Sequence, residues 1–424
     1  MIRQICKNIK SDSFKMAALN SFLRNAALKN IITELETSKE SIFKSNKLDL
    51  EAAVNENLNP AIIKRLAFDQ DKLKDVVKGI ESLISLEDPL NKVLLSRELD
   101  ADLILKQVSC PIGVIGVIFE SRPDALVQIA TLCLKSGNCC ILKGGSEARH
   151  TNKILFELIS KATKSSGIPE GFLTLFETRE AISELLNCSD SIDLIIPRGS
   201  NEFVQYIMSN TKIPVMGHAD GICHVYLDSN CDIDLGVKVV IDSKVQYVAA
   251  CNAVETILVH ESIAKEFLPK LKAALEKEKV EIRGCENTMD IIDCNPATEI
   301  DFSTEYLDYV LSIKIVGDIS DAIRHINAFG SHHTDCIITR DEDSARRFML
   351  EVDSAGVYQN CSTRFADGYR YGFGAEVGIS TGKLHARGPV GLSGLVTYKY
   401  QLKGNGNIVS DYASGKRSFH FKNL

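Results

Sequence analysis

One cysteine lies in a stretch of small residues that suits a covalent nucleophile. Cys251 belongs to the segment YVAACNA (residues 247–253), between a predicted helix and a predicted strand. Small neighbours leave room for a substrate and let backbone N–H groups face an oxyanion. A reactive cysteine must be ionised, and an unperturbed thiol has a pKa of about 8.5. Because the chain contains 13 cysteines, composition alone favours a plain buried thiol, and both interpretations stay open at this point.

Two short polar turns could bind phosphate groups. Each follows a predicted apolar strand and precedes a predicted helix. The first contains Lys143, Gly144, Gly145 and Ser146, and the second contains Arg198, Gly199 and Ser200. Glycines let backbone N–H groups approach a phosphate, a helix N-terminus favours an anion, and a lysine adds positive charge. Either turn alone is as consistent with an ordinary tight turn, but two on one sheet edge favour dinucleotide binding.

Histidines and arginines mark two further segments. His218 and His224 flank a glycine-rich loop. One of them could pair with a nucleophilic cysteine, although a structural role is commoner for such histidines. Arg364, Arg370 and Arg387 fall in a segment of little periodicity beside glycines and serines. Arginine binds phosphates and carboxylates with two hydrogen bonds, so these three favour an anionic substrate over plain surface positions.

The elements that must position these residues alternate between strands and helices from about residue 113. Apolar runs predict strands at Val114–Phe119, Cys139–Leu142, Leu173–Phe176 and Ile192–Ile196. Amphipathic patterns predict helices at Ala125–Lys135, Glu147–Lys164, Ala181–Leu186 and Glu202–Asn210. This order predicts an α/β fold with a mostly parallel sheet and helices on both faces. Ligands of such sheets bind at the carboxyl ends of the strands, where the two polar turns lie.

The flanking segments have other patterns. Residues 13–85 show the apolar spacing of helices. A second α/β block has predicted helices over 232–246 and 262–277 and predicted strands over 254–259 and near 313–317, 335–339 and 354–358. Residues 360–394 show little periodicity, which is common in functional segments. Residues 92–110 and 395–405 predict exposed strands that need pairing or cover, as at a subunit contact.

Composition excludes several classes of protein. At 424 residues the chain is too long for one ordinary core, and its net charge of −7 argues against a nucleic-acid partner. No apolar run approaches the length of about 18 residues that a membrane span needs, and residues 1–14 lack the apolar core of a secretory signal. Scattered cysteines without a CxxC pair predict a reducing, cytoplasmic location and no metal site.

Several long motifs together resemble one family. They include VSCPIGVIGVIFESRPDALVQIA (108–130), LKGGSEA (142–148), AACNAVETILVH (249–260), HHTDCI (332–337) and most of 352–392. These motifs resemble those of the glutamate-5-semialdehyde dehydrogenases, or gamma-glutamyl phosphate reductases. They are most similar to the reductase half of the bifunctional pyrroline-5-carboxylate synthases. The resemblance covers about residues 10–402.

The resemblance implies the fold of the aldehyde dehydrogenase superfamily. A Rossmann-type nucleotide-binding domain would comprise residues 1–92 and 111–228, and an α/β catalytic domain would comprise residues 229–390. A small β oligomerisation flap with a tail would comprise residues 93–110 and 391–424. Such a flap implies a homodimer or homotetramer.

The resemblance also implies a reaction in proline biosynthesis. The Cys251 thiolate would attack L-glutamyl 5-phosphate, phosphate would leave, and the resulting thioester would be reduced with NADPH to L-glutamate 5-semialdehyde. Ser121 would contact the oxyanion. Both polar turns would bind the cofactor, with Lys143 as the cofactor lysine. Substrate groups would bind to Arg122, Asn252, Ser362, Thr363 and Arg364.

Two departures from the superfamily sharpen this expectation. Oxidising aldehyde dehydrogenases place a water-activating glutamate in the loop that corresponds to Met216–Gly221, which here reads MGHADG. A reductase that releases phosphate needs no such base. NAD-specific members carry an acidic residue three positions after the cofactor lysine, where this chain has Ser146. Its absence favours NADPH, although Glu147 is adjacent.

Three other interpretations stay open. The chain could be a dehydrogenase of a different aldehyde, but the missing loop glutamate and the arginine-rich segment count against simple oxidation. A cysteine hydrolase or transferase without nicotinamide would not need two phosphate-type turns. A silent subunit that scaffolds a glutamate kinase would not need an intact AACNA segment. A separate glutamate 5-kinase is also a candidate partner, because it would supply the labile acyl phosphate.

Overall fold

The computed structural model describes residues 1–178, 180–218 and 220–424. The α-helices are α1 (Ile2–Ala18), α2 (Ser21–Thr37), α3 (Lys39–Asn55), α4 (Pro60–Leu66), α5 (Gln70–Ser85), α6 (Pro123–Lys135), α7 (Arg149–Ser165), α8 (Glu180–Leu186), α9 (Asn201–Ser209), α10 (Ile233–Val245), α11 (Glu261–Lys277), α12 (Glu286–Met289), α13 (Ile319–Phe329), α14 (Glu342–Glu351) and α15 (Val409–Ala413).

The strands follow the same chain order. They are β1 (Val93–Asp100), β2 (Leu103–Pro111), β3 (Val114–Phe119), β4 (Cys139–Lys143), β5 (Leu173–Phe176), β6 (Leu194–Arg198), β7 (Cys223–Leu227), β8 (Val254–His260), β9 (Glu281–Gly284), β10 (Asn295–Pro296), β11 (Val310–Val316), β12 (Thr334–Ile338), β13 (Gly356–Gln359), β14 (Ile379–Ser380), β15 (Gly388–Pro389), β16 (Val396–Lys403) and β17 (Lys422–Asn423).

The chain forms two compact units. Unit 1 comprises Met1–Met216, Phe373–Gly378 and Val390–Leu424, and unit 2 comprises Gly217–Gly372 and Ile379–Pro389. The domain boundaries inferred from the family resemblance stay a prediction. None of the helices in the described ranges has the length and apolar character that a membrane span requires.

A parallel sheet in the order β5-β4-β3-β6 forms the centre of unit 1. Every residue of β3 and β4 is buried, as expected of strands covered on both faces. The strand order reverses beside β3, because β4 follows it on one side and β6 lies on the other. Such a switch point is where open α/β sheets bind ligands. The predicted parallel sheet is confirmed.

A second sheet in unit 1 is antiparallel, in the order β16-β2-β1-β17. Its strands β1, β2 and β16 confirm the strands predicted over 92–110 and 395–405. Tyr398, Tyr400 and Leu402 on β16 are exposed. The suggested subunit contact stays a prediction.

Unit 2 is built on a parallel sheet in the order β10-β9-β11-β8-β7-β12-β13. Helices α10 and α11 pack their apolar faces against it through residues such as Val240 and Phe267. Asp232 accepts a hydrogen bond from the backbone N–H of Leu235 and so begins α10. This second α/β block agrees with the predicted pattern.

Some predicted bounds were wrong. The first helix begins at Ile2 rather than near residue 13, and its buried residues Cys6, Ile9, Ser13 and Met16 follow a spacing of three to four. The helix expected from Glu147 begins as a 3₁₀ turn over Ser146–Ala148 before α7. The strand expected from Ile192 begins at Leu194. Strand β7 had no counterpart in the prediction.

Candidate active site

A cleft of about 700 Å³ lies at the carboxyl ends of β3 and β4 in unit 1. Its lining includes Phe119, Lys143, Gly145, Ser146 and Glu147. The first predicted phosphate turn therefore lines a cavity. This position follows from the topology, because parallel strands bring their carboxyl ends to one edge of the sheet.

Polar side chains lie close to the two glycines of this turn. A Cβ atom on Gly144 would lie 2.4 Å from the amide nitrogen of Asn152. A Cβ atom on Gly145 would lie 2.1 Å from a carboxylate oxygen of Glu147. Lys143 is 5% exposed, and its ammonium donates a hydrogen bond to the carbonyl of Gly144. The turn thus presents backbone and one cation to the cleft.

Ser121 and Glu147 form a hydrogen-bonded pair beside this turn. The backbone N–H and the hydroxyl of Ser121 both donate to one carboxylate oxygen of Glu147, at 2.5 and 2.9 Å. Ser121 has a φ of 50°, in the left-handed region that non-glycine residues occupy rarely. Arg122, the next residue, is exposed and precedes Pro123 at the start of α6.

The second predicted phosphate turn follows β6. Arg198 ends that strand, and its carbonyl accepts a hydrogen bond from the backbone N–H of Glu120. A Cβ atom on Gly199 would lie 2.7 Å from the Glu120 carboxylate, so a side chain there would require that carboxylate to move. Ser200 precedes α9, whose residues Phe203 and Tyr206 line the cleft. The cleft, the buried lysine and the glycine turns fit a nucleotide cofactor.

Cys251 lies in unit 2, where three loops meet at the amino ends of adjacent strands. The strands are β8, β7 and β12. Cys251 precedes β8, His218 precedes β7, and His333 precedes β12. The general rule of binding at carboxyl ends, which holds for the cleft of unit 1, does not predict this position.

The thiol of Cys251 is half-buried and contacts an imidazole. Its Sγ lies 3.2 Å from Nε2 of His333. The other ring nitrogen of His333 lies 2.9 Å from the hydroxyl of Thr334. The ring of His218 packs edge-on against that of His333, with 4.9 Å between centroids. A nucleophile, a base and a group that orients the base are the parts of an activated cysteine.

The loop before β7 packs directly on the backbone of the cysteine. A Cβ atom on Gly221 would lie 2.1 Å from the carbonyl oxygen of Cys251 and 2.5 Å from its Cα. The thiol of buried Cys223 donates to the same carbonyl at 3.3 Å. Residue 219 of the predicted loop Met216–Gly221 lies outside the described residues. The turn that carries Cys251 is therefore held from both sides.

Three of the predicted substrate residues form one buried network next to Cys251. The amide nitrogen of Asn252 donates to the carbonyl of Ala366, and the hydroxyl of Thr363 donates to the carbonyl of Asn252. Ser362 and the backbone N–H of Thr363 both contact the hydroxyl of Ser243 on α10. These contacts fix the 360–366 segment beside the cysteine turn.

The arginines of this segment have different partners. Arg364 is 8% exposed, and its Nε donates to the side chain of Gln246 at 2.9 Å. Burial lowers the pKa of Arg364, and Arg370 beside it acts in the same direction. Arg370 donates to the carbonyl of Arg364, whereas Arg387 binds Asp353. Arg122 belongs to unit 1.

A buried ion pair and a buried histidine–carboxylate contact lie in the scaffold of the cysteine site. Lys244 on α10 and Glu255 on β8 are both fully buried and lie 2.6 Å apart. Burial raises the pKa of Glu255 to about 7 against the influence of Lys244, and burial lowers the pKa of Lys244. His224 on β7 lies 2.9 Å from Asp335 on β12, also fully buried. These pairs tie together the elements that flank residue 251.

Sequence reasoning missed His333 and Cys223 as members of the site. The weighed histidines were His218 and His224, of which only His218 lies in the cluster. His333 belongs to the motif HHTDCI, which was noticed only as part of a family resemblance. Its separation of 82 residues from Cys251 left no local spacing to find.

Comparisons with known proteins agree with this geometry. Residues 5–292 match the aldehyde dehydrogenase family model. The chain is 57% identical to a gamma-glutamyl phosphate reductase of Ruminiclostridium cellulolyticum over 423 residues, which cover 100% of this chain and 98% of that protein. It is 59% identical to one from Acetivibrio thermocellus, covering 99% and 97%. The crystal structure of a gamma-glutamyl phosphate reductase from Thermotoga maritima has a TM-score of 0.94 at 38% identity, covering 96% and 99%.

The matches to the reductases extend over nearly the whole chain, and the family match over residues 5–292 includes both Lys143 and Cys251. Aldehyde dehydrogenases use a nicotinamide cofactor, which agrees with the nucleotide-type cleft of unit 1. The predicted aldehyde dehydrogenase fold is confirmed. The chain therefore belongs to the aldehyde dehydrogenase family and, within it, to the gamma-glutamyl phosphate reductases.

Proposed function

We propose that this chain reduces L-glutamyl 5-phosphate to L-glutamate 5-semialdehyde with NADPH and releases phosphate, in proline biosynthesis. The names of its relatives support this activity. The observation that carries the chemistry is the 3.2 Å contact between Cys251 Sγ and His333 Nε2.

This contact suits the formation of a thiolate. Nε2 of His333 would accept the thiol proton, and the Thr334 hydroxyl would orient the ring. The thiolate would then attack the acyl carbon, and the bond to phosphate would break. Covalent capture helps because a thioester accepts hydride more readily than a carboxylate does, so one hard step becomes two easier ones.

Binding of the glutamyl group would fall to Asn252, Ser362, Thr363 and Arg364. Buried guanidinium groups bind carboxylates and phosphates strongly, and Arg364 is the most buried arginine of this segment among those described. Arg122 is a further candidate. Ser121 is a proposed contact to the oxyanion, and its hydroxyl donates to Glu147 in this structure.

Within unit 1, the cofactor would be held by the two glycine turns and Lys143. NADPH, when bound, supplies the hydride that reduces the thioester. Ser146 is exposed at the rim and carries no charge. Glu147 is engaged by Ser121, which supports a preference for a 2′-phosphate over a free ribose hydroxyl. Comparing initial rates with NADPH and NADH tests this preference, and equal rates would contradict it.

The reverse reaction tests the proposed activity most directly. Pyrroline-5-carboxylate, which is in equilibrium with the semialdehyde, is supplied with NADP, and absorbance of the reduced cofactor is followed with and without phosphate. We expect the rate to depend strictly on phosphate. Reduction of NADP without phosphate would instead indicate ordinary aldehyde oxidation.

We also propose that the chain works in the cytoplasm as a homodimer or homotetramer joined through the exposed edge of β16. Its row of Tyr398, Tyr400 and Leu402 supports this contact. A separate glutamate 5-kinase would supply the acyl phosphate. Size-exclusion chromatography with light scattering tests the oligomer, and a single-chain mass would exclude it.

A further inference from the structure

The site around Cys251 groups the ligand atoms of a metal centre. His218, Cys251 and His333 each offer one ring nitrogen or sulfur, and these three atoms all lie within 4.8 Å of one another. Two of them, Sγ of Cys251 and Nε2 of His333, are 3.2 Å apart. The residues come from three loops, so sequence spacing predicted no metal site.

The chemistry of the three groups matches zinc. Thiolate and imidazole bind Zn²⁺ at about 2.3 and 2.0–2.1 Å. Tetrahedral geometry at those lengths separates the ligand atoms by roughly 3.3–3.6 Å. The observed spread requires only small side-chain shifts to reach this range. Three protein ligands leave a fourth position for water, as in zinc sites that are not purely structural.

Both imidazoles are oriented by second contacts. Nδ1 of His218 lies 2.8 Å from the carbonyl oxygen of Ile379. A hydrogen bond from Nδ1–H to this carbonyl leaves the lone pair on Nε2. Nδ1 of His333 lies 2.9 Å from the Thr334 hydroxyl, while Nε2 faces the thiol. Such outer contacts fix the tautomer and the direction of metal-binding histidines.

We propose that His218, Cys251 and His333 form a Zn²⁺ site that reversibly blocks the enzyme. On binding, a Zn–S bond forms and the thiol proton passes to solvent, with no change in oxidation state. A metal-bound sulfur is no longer available for attack on an acyl phosphate. The inhibitory role rests on the proposed function, whereas the metal site itself does not.

Cobalt substitution tests the site without using activity. Full-length protein stripped of metal with a chelator is titrated with Co²⁺, a spectroscopic substitute for Zn²⁺. We expect a thiolate-to-cobalt absorption band and tetrahedral visible bands that saturate near one equivalent, and that Zn²⁺ displaces them. In Cys251→Ser the thiolate band should disappear, and in His218→Gln the Co²⁺ affinity should fall at least about 10-fold.

Cys285→Ser is the matched control, because it removes a half-buried thiol of unit 2 that contacts Thr288 rather than the cluster. Its spectrum should equal that of the unmodified chain. A thiolate band that survives Cys251→Ser would overturn the site. Unchanged Co²⁺ affinity in both His218→Gln and Cys251→Ser would also overturn it. Circular dichroism of both variants shows whether they are folded.

Activity assays then separate the two proposals. If Zn²⁺ binds through Cys251 and the chain reduces glutamyl phosphate, micromolar Zn²⁺ should inhibit and a chelator should restore the rate. Metal binding in a protein without reductase activity would contradict the proposed function but not the metal site. The inhibitory role would be overturned if Zn²⁺ left the activity unchanged at concentrations that displace Co²⁺ and abolish its thiolate band.

Discussion

The cofactor cleft of unit 1 and the cysteine cluster of unit 2 are assembled in opposite ways. In the cleft, one turn at the end of β4 supplies Lys143, Gly145, Ser146 and Glu147. In the cluster, His218, Cys251 and His333 come from three loops that precede three strands. The residues of the turn are placed by their neighbours in the chain, whereas the residues of the cluster are placed by the pairing of β8, β7 and β12.

The strongest test of this comparison removes the sulfur. We expect Cys251→Ala to lower turnover by more than about 10⁴-fold, as removal of a covalent nucleophile does. NADPH binding, measured by fluorescence titration, should be unchanged because the cleft belongs to unit 1. Cys285→Ser serves as the control and should keep full activity. Near-normal turnover in the alanine variant would end the covalent scheme.

A smaller loss should follow when the imidazole partner is changed. His333→Gln keeps a hydrogen-bonding side chain but cannot accept the thiol proton. We expect turnover to fall by about 10²-fold, the usual contribution of a positioned base. At pH 7, alkylation of Cys251 by iodoacetamide should be slower in this variant than in the unmodified chain. An unchanged alkylation rate would assign His333 a purely structural role.

Acid should weaken the scaffold of the cluster. The ring of His325 packs edge-on against that of His224, with 5.6 Å between the ring centroids. Burial lowers the pKa of His325 from 6.5 to about 3, and His224 and Lys314 act in the same direction. Below pH 6.5 His325 binds a proton in the unfolded chain but not in the folded chain. The free energy of unfolding therefore falls as the pH drops from 6.5 towards 3. The loss at pH 5 should be about 2 kcal/mol.

Urea unfolding at pH 7.5 and pH 5 measures this loss. His325→Gln should reduce the difference in the free energy of unfolding between pH 7.5 and pH 5, even if the variant is less stable at pH 7.5. His150→Gln, which changes an exposed histidine of unit 1, should leave the difference unchanged. Equal pH dependence in all three chains would show that His325 does not control it.

The smallest effect should come from the cleft. Ser146→Asp places a negative charge three positions after the cofactor lysine, where it would repel a 2′-phosphate. We expect kcat/KM for NADPH to fall about 10-fold, in line with a loss of roughly 1.4 kcal/mol, while the value for NADH changes little. Ser165→Asp adds the same charge at the far end of α7 and is the control. An equal loss with both cofactors would contradict the argument.

The same contrast explains what could be predicted from the sequence. Strand Val114–Phe119 and its polar end were predictable because a continuous apolar run and the turn after it are local signals. Cys251 stood out through its small neighbours, but its partner His333 did not, because sheet topology alone brings them together. The pairing of Lys244 with Glu255 could not be predicted either, because the sequence does not show whether a charged residue is buried or exposed.

That pair also limits how this part of the molecule can change. Lys244 and Glu255 face each other without any exposure to solvent, on the two elements that enter and leave the cysteine turn. Replacing one of them leaves the other buried without a partner, which lowers the stability. Two apolar residues of matching size could replace both with little loss of stability. The two positions are therefore expected to diverge jointly, and a library that varies them one at a time would contain only damaged proteins.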